Sequence, residues 1–167
     1  MTFEEIYQDF NDQMNAEFES AFLYLQMSAY FADKGLHGFA SWMRNQYEEE
    51  IAHAMKFFDY IQERNMAPIM NAFGKPENTW ESPLGVFKAS LEHEQLISSK
   101  INNLMSLAID KKDYPSKEFL GWFITEQVEE EGTVQDIIDR LNLVKDAPSG
   151  LFFMDNELGK RSSVVAE

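Results

Sequence analysis

Four glutamates, Glu17, Glu50, Glu94 and Glu130, fall at mid-length on the apolar stripes of four separate stretches of helical period. The stripes read Ile6, Phe10, Met14, Glu17, Ala21, Tyr24; Phe39, Met43, Gln46, Glu50, His53, Phe57; Phe87, Ser90, Glu94, Ile97, Ile101, Leu104; and Phe119, Phe123, Gln127, Glu130, Val134, Ile137, Leu141. One such glutamate is no signal, because glutamate is a good helix former and the chain holds 29 acidic residues. Four aimed at one core are different: an ionised carboxylate buried without a partner is strongly destabilising, so the set requires a cation. The fold this pattern allows is all-α, a four-helix bundle built around metal.

The punctuation places the helices. A first helix, α1, is predicted over about residues 2–32, ending at Asp33-Lys34-Gly35, and α2 over about 38–65. Pro68, Gly74, Pro76 and Pro83 mark a crossover from about Ala67 to Ser82, too long for a hairpin turn, so α2 and α3 are expected to be parallel neighbours. Helix α3 follows over about 82–109 with Pro83 at the favoured first position, and α4 over about 115–144 after a tight Asp110–Tyr114 connection. The run Asp146-Ala147-Pro148-Ser149-Gly150 is a break before a short fifth helix, α5, over about 151–158. Residues 1–160 are thus expected to form a single domain, with 161–167 as a flexible tail.

The glutamates match in level. Glu17 lies about 17 residues before the α1–α2 turn and Glu50 about 13 after it, so at about 1.5 Å per residue both stand roughly 20–25 Å from that end. Glu94 and Glu130 each lie about 16 residues from the α3–α4 turn, again roughly 24 Å away. If the hairpins associate with these levels aligned, the four carboxylates and His53 form one cluster.

Bulk properties narrow the partners. With a net charge of −15 and 14 basic residues among 167, nucleic acid is excluded as a natural ligand and cations are favoured. The absence of cysteine removes disulfides, thiolate zinc sites and thiolate-held clusters, so any metal is bound by oxygen and nitrogen. No segment approaches the roughly 20 apolar residues of a membrane span, and the chain reads as soluble. A cytoplasmic location is expected, or an organelle stroma if a transit segment once preceded Met1.

One glutamate per helix plus a single Glu-x-x-His pair gives oxygen-rich coordination, and carboxylates bridge two cations about 3.5–4 Å apart. The second copy of that pair reads Gln127-Val128-Glu129-Glu130, without histidine. An asymmetric dinuclear site is expected: one metal on Glu17, Glu50 and His53, the other, held more weakly, on Glu50, Glu94 and Glu130.

The segments Gln13-Met14-Asn15-Ala16-Glu17, Tyr47-Glu48-Glu49-Glu50-Ile51-Ala52-His53-Ala54, His93-Glu94-Gln95 and Glu126-Gln127-Val128-Glu129-Glu130-Glu131 resemble those of prokaryotic-type non-haem ferritins over essentially the whole chain. The resemblance implies a ferritin-like four-helix bundle with a long α2–α3 crossover. It further implies a homo-oligomeric cage of 24 subunits that oxidises Fe(II) with O₂ at a dinuclear iron centre inside each subunit and stores the ferric mineral. The ferroxidase ligands it implies are Glu17, Glu50, His53, Glu94 and Glu130, with Gln127 hydrogen-bonding beside them. A third iron position is implied at Glu49, Glu126 and Glu129, sharing Glu130. Both Tyr24 and Trp122 read either as core or as electron donors to the centre, while His93, about 100° around α3 from Glu94, is read as a non-ligand.

Haem is not expected. Bacterioferritins carry a methionine after the α2 glutamate and a histidine at the position of Glu130, where this chain has Ile51 and Glu130 itself. Two readings of other classes stay open on sequence: a divalent-metal buffer without redox turnover, and a metal-free helical interaction module with protonated core glutamates.

Overall fold

A computed structural model of the chain describes residues 2–145 and 147–162. Five helices follow in order: α1 Thr2–Asp33, α2 His37–Glu63, α3 Pro83–Asp110, α4 Tyr114–Val144 and α5 Pro148–Leu158. None of them is long and apolar enough to cross a membrane. The α1–α2 turn is made at Gly35, whose φ of +76° is open to glycine without strain. At the start of α3 the Ser82 hydroxyl accepts the Gly85 amide at 3.0 Å, with Pro83 in the first turn.

The two hairpins α1–α2 and α3–α4 associate through α1 and α3 and, by side-chain contacts, through α2 and α4. The crossover lies along α1 rather than in solvent. Its backbone is tied down by Tyr7 to the Ala67 carbonyl, by a paired Asn11–Ile69 exchange, by Asn15 to Ile69 and Asn71, and by Tyr30 to the Trp80 carbonyl. Buried Asn11 and Asn15 thus supply the hydrogen bonds that an irregular segment cannot make for itself. Because the crossover runs the length of α1, α2 and α3 point the same way. Their backbones are not side by side as expected: α3 packs closely on α1 and α4 and meets α2 across the core, through Phe87 against Phe39 and Trp42.

The core divides into two clusters. One joins the end of α1 and the start of α2 and α3 to the second half of α4 and to α5, through Phe31, Phe39, Trp42, Phe87, Ile138 and Met154 among others. The second joins the other ends through Phe3, Phe10, Phe57, Ile101 and Phe123, and includes Tyr60 stacked on the partly buried Phe119 at 4.1 Å. Beyond it, Arg64 makes a forked pair with buried Asp113 at 2.9 and 3.0 Å and ties the end of α2 to the start of α4. Between the clusters lies a polar layer, and it contains Glu17, Glu50, His53, Glu94, Gln127 and Glu130, all buried.

Helix α5 differs from expectation in where it starts and in what it does. It begins at Pro148 rather than 151, since proline suits a first helical turn as well as it breaks an interior one. It docks on the start of α2, where Asp155 Oδ1 accepts the Phe39 amide at 2.9 Å and so serves as a cap that Leu36 cannot provide. The approach is close enough that a Cβ at Gly38 would collide with the Asp155 carbonyl. Gly38→Ala is therefore expected to cost about 1–3 kcal/mol in urea unfolding through overpacking. It should also make the α4–α5 junction more sensitive to limited proteolysis. Arg161, assigned by sequence to a flexible tail, is held by contacts described below; Asp146 of the expected break and residues 163–167 of the expected tail lie outside the described residues.

Candidate metal centre

Each of the four layer carboxylates is met by a neutral hydrogen-bond donor. On α1, Gln13 Nε2 donates to Glu17 Oε1 at 3.1 Å, and on α2, Gln46 Nε2 donates to Glu50 Oε1 at 3.1 Å, the same i,i+4 spacing in both. Gln46 also reaches Glu130 Oε2 at 2.8 Å, linking α2 to α4. On the opposite side, the Tyr24 hydroxyl donates to Glu94 Oε1 at 2.6 Å and contacts Ser90 Oγ at 2.9 Å. The other Glu94 oxygen accepts from Gln127 Nε2 at 3.1 Å, and Gln127 also reaches Ser98 Oγ. Gln127 and Tyr24 thus clamp one carboxylate between them. On its stripe Gln46 reads only as a polar interruption, although the repeated Gln-x-x-x-Glu of α1 and α2 is the signal that carries its role.

Three sets of ligand atoms each fall within 4.8 Å of one another: Glu17, Glu50 and His53; Glu50, Glu94 and Glu130; and His53, Glu126 and Glu130. Glu50 belongs to the first two sets, as a bridging carboxylate must. His53 Nδ1 stands 3.4 Å from Glu50 Oε2, and its Nε2 faces Glu126 Oε1 at 3.9 Å. The imidazole is seated edge-on against Trp122 and Phe123, with Lys56 Nζ lying 3.6 Å from the centroid of the Trp122 ring on that flank. Trp122 itself is partly exposed.

Two of the buried polar atoms in this layer have no hydrogen-bond partner, Glu17 Oε2 and His53 Nδ1. Leaving a buried polar atom unmatched is costly, and a cation would satisfy both, with the imidazole in the tautomer that leaves Nδ1 unprotonated. The electrostatics agree. Burial, followed by the charges of neighbouring carboxylates, pushes Glu17, Glu50 and Glu130 well above the ordinary carboxylate value. Glu94 is raised by burial too, against the lowering pull of the Tyr24 and Gln127 hydrogen bonds. A divalent ion would reverse this by favouring the ionised forms.

The residues expected at a third position are arranged differently. Glu49, Glu126, Glu129 and Glu130 line one recess of about 300 Å³ beside the centre, together with Trp42, Gln46, Thr133 and Arg161. Glu126 joins His53 and Glu130 in a close ligand set, whereas among the described residues neither Glu49 nor Glu129 completes one. Glu129 is exposed, and Glu49 is paired with Arg161 at 2.9 Å. His93 is not in the layer: its Nε2 contacts Ser20 Oγ at 2.6 Å, its ring packs edge-on to Tyr24, and burial followed by the charge of Lys100 lowers its pKa to about 4.

By class, this is a carboxylate-rich helical bundle whose buried polar layer, enclosed between two apolar clusters, could hold a metal. Residues 7–144 match the family model of the ferritin-like domain. The chain is 40% identical over 161 residues to a bacterial non-heme ferritin of Bacteroides fragilis, covering 96% of this chain and all of that one. It is 38% identical over 154 residues to a bacterial non-heme ferritin of Escherichia coli, covering 92% and 93% of the two chains. An open-pore ferritin from the hyperthermophilic archaeon Archaeoglobus fulgidus superposes with a TM-score of 0.95 at 41% identity, over 97% of this chain and all of that one. The chain belongs to the ferritin-like family.

Proposed function

We propose that this chain is an iron-storage ferritin: a cytoplasmic ferroxidase that oxidises Fe(II) with O₂ at a dinuclear centre within each subunit and retains the ferric product inside a 24-subunit cage. The observation that carries the reading is the pair of unmatched buried atoms, Glu17 Oε2 and His53 Nδ1, in a layer where Glu50 is common to two ligand sets. The family and its non-heme ferritin relatives support iron as the metal and storage as the purpose.

In this reading one Fe(II) is held by Glu17, Glu50 and His53 and the other by Glu50, Glu94 and Glu130. Each gives up one electron, and the two electrons carry O₂ to the peroxide level, with the protons drawn from water. Anionic oxygen ligands favour the harder Fe(III) product over Fe(II), which supplies driving force. Gln46 holds Glu50 and Glu130 in register, while Tyr24 and Gln127 fix both oxygens of Glu94. The product leaves toward the recess of Glu49, Glu126 and Glu129, where a third iron is bound in passage. The net charge of −15 draws Fe(II) toward the cage.

The test is aerobic addition of Fe(II) with O₂ uptake and native mass measured on one sample. Rapid O₂ consumption by a large assembly that keeps its iron is expected. A small species that neither consumes O₂ nor retains iron would reject the proposal, and metal binding without O₂ uptake would favour a simple buffer.

A further inference from the structure

Arg161 lies three residues beyond α5 and returns to the metal layer, and nothing in the ferroxidase reading uses it. Its guanidinium sits over the Trp42 ring at 4.5 Å, and Nη1 donates to the Trp42 carbonyl and to Gln46 Oε1, both at 3.1 Å. Nη2 pairs with Glu49 Oε2 at 2.9 Å, and the Arg161 carbonyl accepts from Asn45 Nδ2 at 3.3 Å. With its side chain 20% exposed and that of Glu49 24%, the pair is sheltered and anchored on four sides. The docking of α5 on Gly38 and Phe39 delivers it there.

Two consequences follow from the chemistry. Gln46 has one carbonyl and one amino end; the cation takes the carbonyl, so the amino end is turned toward Glu50 and Glu130. Glu49, meanwhile, is a carboxylate already neutralised by a permanent positive charge on the wall of the recess that also holds Glu126, Glu129 and Glu130. A metal ion arriving there meets a ligand whose partner is in place.

We infer that Arg161 is a built-in competitor for the third-metal recess: a metal ion takes Glu49 in competition with the Arg161 guanidinium, which already holds Oε2, so this residue keeps the third position weaker than the dinuclear centre and keeps it emptying. The inference rests on the ferroxidase reading and adds a positioning residue that sets where iron lingers. Fixed positive charge at the recess favours onward release over retention, because a ferric ion leaving Glu49 is replaced at once by the guanidinium.

The experiment is anaerobic titration of the assembled protein with Fe(II), resolving the first two equivalents per subunit from the third, for wild type, Arg161→Gln, Arg161→Lys and each arginine variant combined with Glu49→Gln. Arg161→Gln is expected to tighten the third equivalent by roughly tenfold, the size of one sheltered charge pair. Arg161→Lys, which keeps the charge but loses the fork, should fall between it and wild type. In the Glu49→Gln background the arginine substitutions should change the third equivalent much less, leaving only the effect of removing a positive charge from the recess. A merely structural role predicts the opposite sign, since loosening the recess would weaken binding. A third equivalent that is unchanged or weaker in Arg161→Gln, with two tight equivalents intact, overturns this inference alone; wild-type protein that takes up no Fe(II) in the layer overturns the ferroxidase reading along with it.

Discussion

Replacing Glu50 by alanine is expected to slow rapid aerobic Fe(II) oxidation by roughly 100-fold or more, the largest loss from any single substitution in the layer. Glu50 is the member common to the Glu17–His53 and Glu94–Glu130 sets, so its removal takes a ligand from both metals at once. It also strands the Gln46 amide, which then has only Glu130 to serve. Removing Glu130 or His53 takes a ligand from one metal of the pair, and each variant should retain binding of the other metal. Stopped-flow oxidation together with anaerobic Fe(II) stoichiometry separates these cases: loss of both equivalents for Glu50→Ala, loss of one for Glu130→Ala. Glu50→Ala protein that oxidises Fe(II) at the wild-type rate would remove the shared ligand from the account.

The second large effect concerns stability, and it changes sign with metal. In the metal-free protein, burial and mutual repulsion hold the carboxyls of Glu17, Glu50 and Glu130 well above their ordinary value of 4.5. A carboxyl raised in the folded state binds its proton more tightly there than in the unfolded chain. Its contribution is therefore fully present below about pH 4.5 and is lost as pH rises through the elevated folded values. The metal-free bundle should carry a component of stability that declines from acid toward neutral pH, and Glu17→Gln should flatten that decline by removing one buried charge. Metal binding should restore what neutral pH takes away: at a free metal concentration 100 times Kd, the gain is about 2.7 kcal/mol. Thermal unfolding from pH 5 to 8, with chelator and with Fe(II) or Zn(II) under anaerobic conditions, reads both effects. A metal-free interaction module would show no such metal dependence.

The parts of this molecule visible in sequence are those governed by local period. Ile6, Phe10, Met14 and Glu17 share a face because 3.6 residues make a turn, and the same arithmetic places Glu94 and Glu130. The equal distance of these positions from the two hairpin turns puts them in one layer. What escaped was set by pairings remote in sequence. The Asp155 cap on Phe39 spans 116 residues and the Arg161 bond to Gln46 spans 115, and no periodicity encodes either. The run Glu48-Glu49-Glu50 gives no sign of which member an arginine so far away will neutralise. The lateral order of the helices escaped for a related reason. A long crossover fixes the direction of α3 relative to α2, but the asparagines that fasten it to α1 determine the path it takes. Gln46 was visible as an interruption of a stripe, yet its function depends on Glu130 of another helix.

Two metals bridged by Glu50 are the core of this account, and iron-edge anomalous diffraction from crystals loaded with Fe(II) under anaerobic conditions tests them most directly. The expected result is two peaks about 3.5–4 Å apart, one against Glu17, Glu50 and His53 Nδ1 and the other against Glu50, Glu94 and Glu130, with any third peak beside Glu126 and weaker. Iron found only in the outer recess or at the surface, with no density between the four helices, would contradict it.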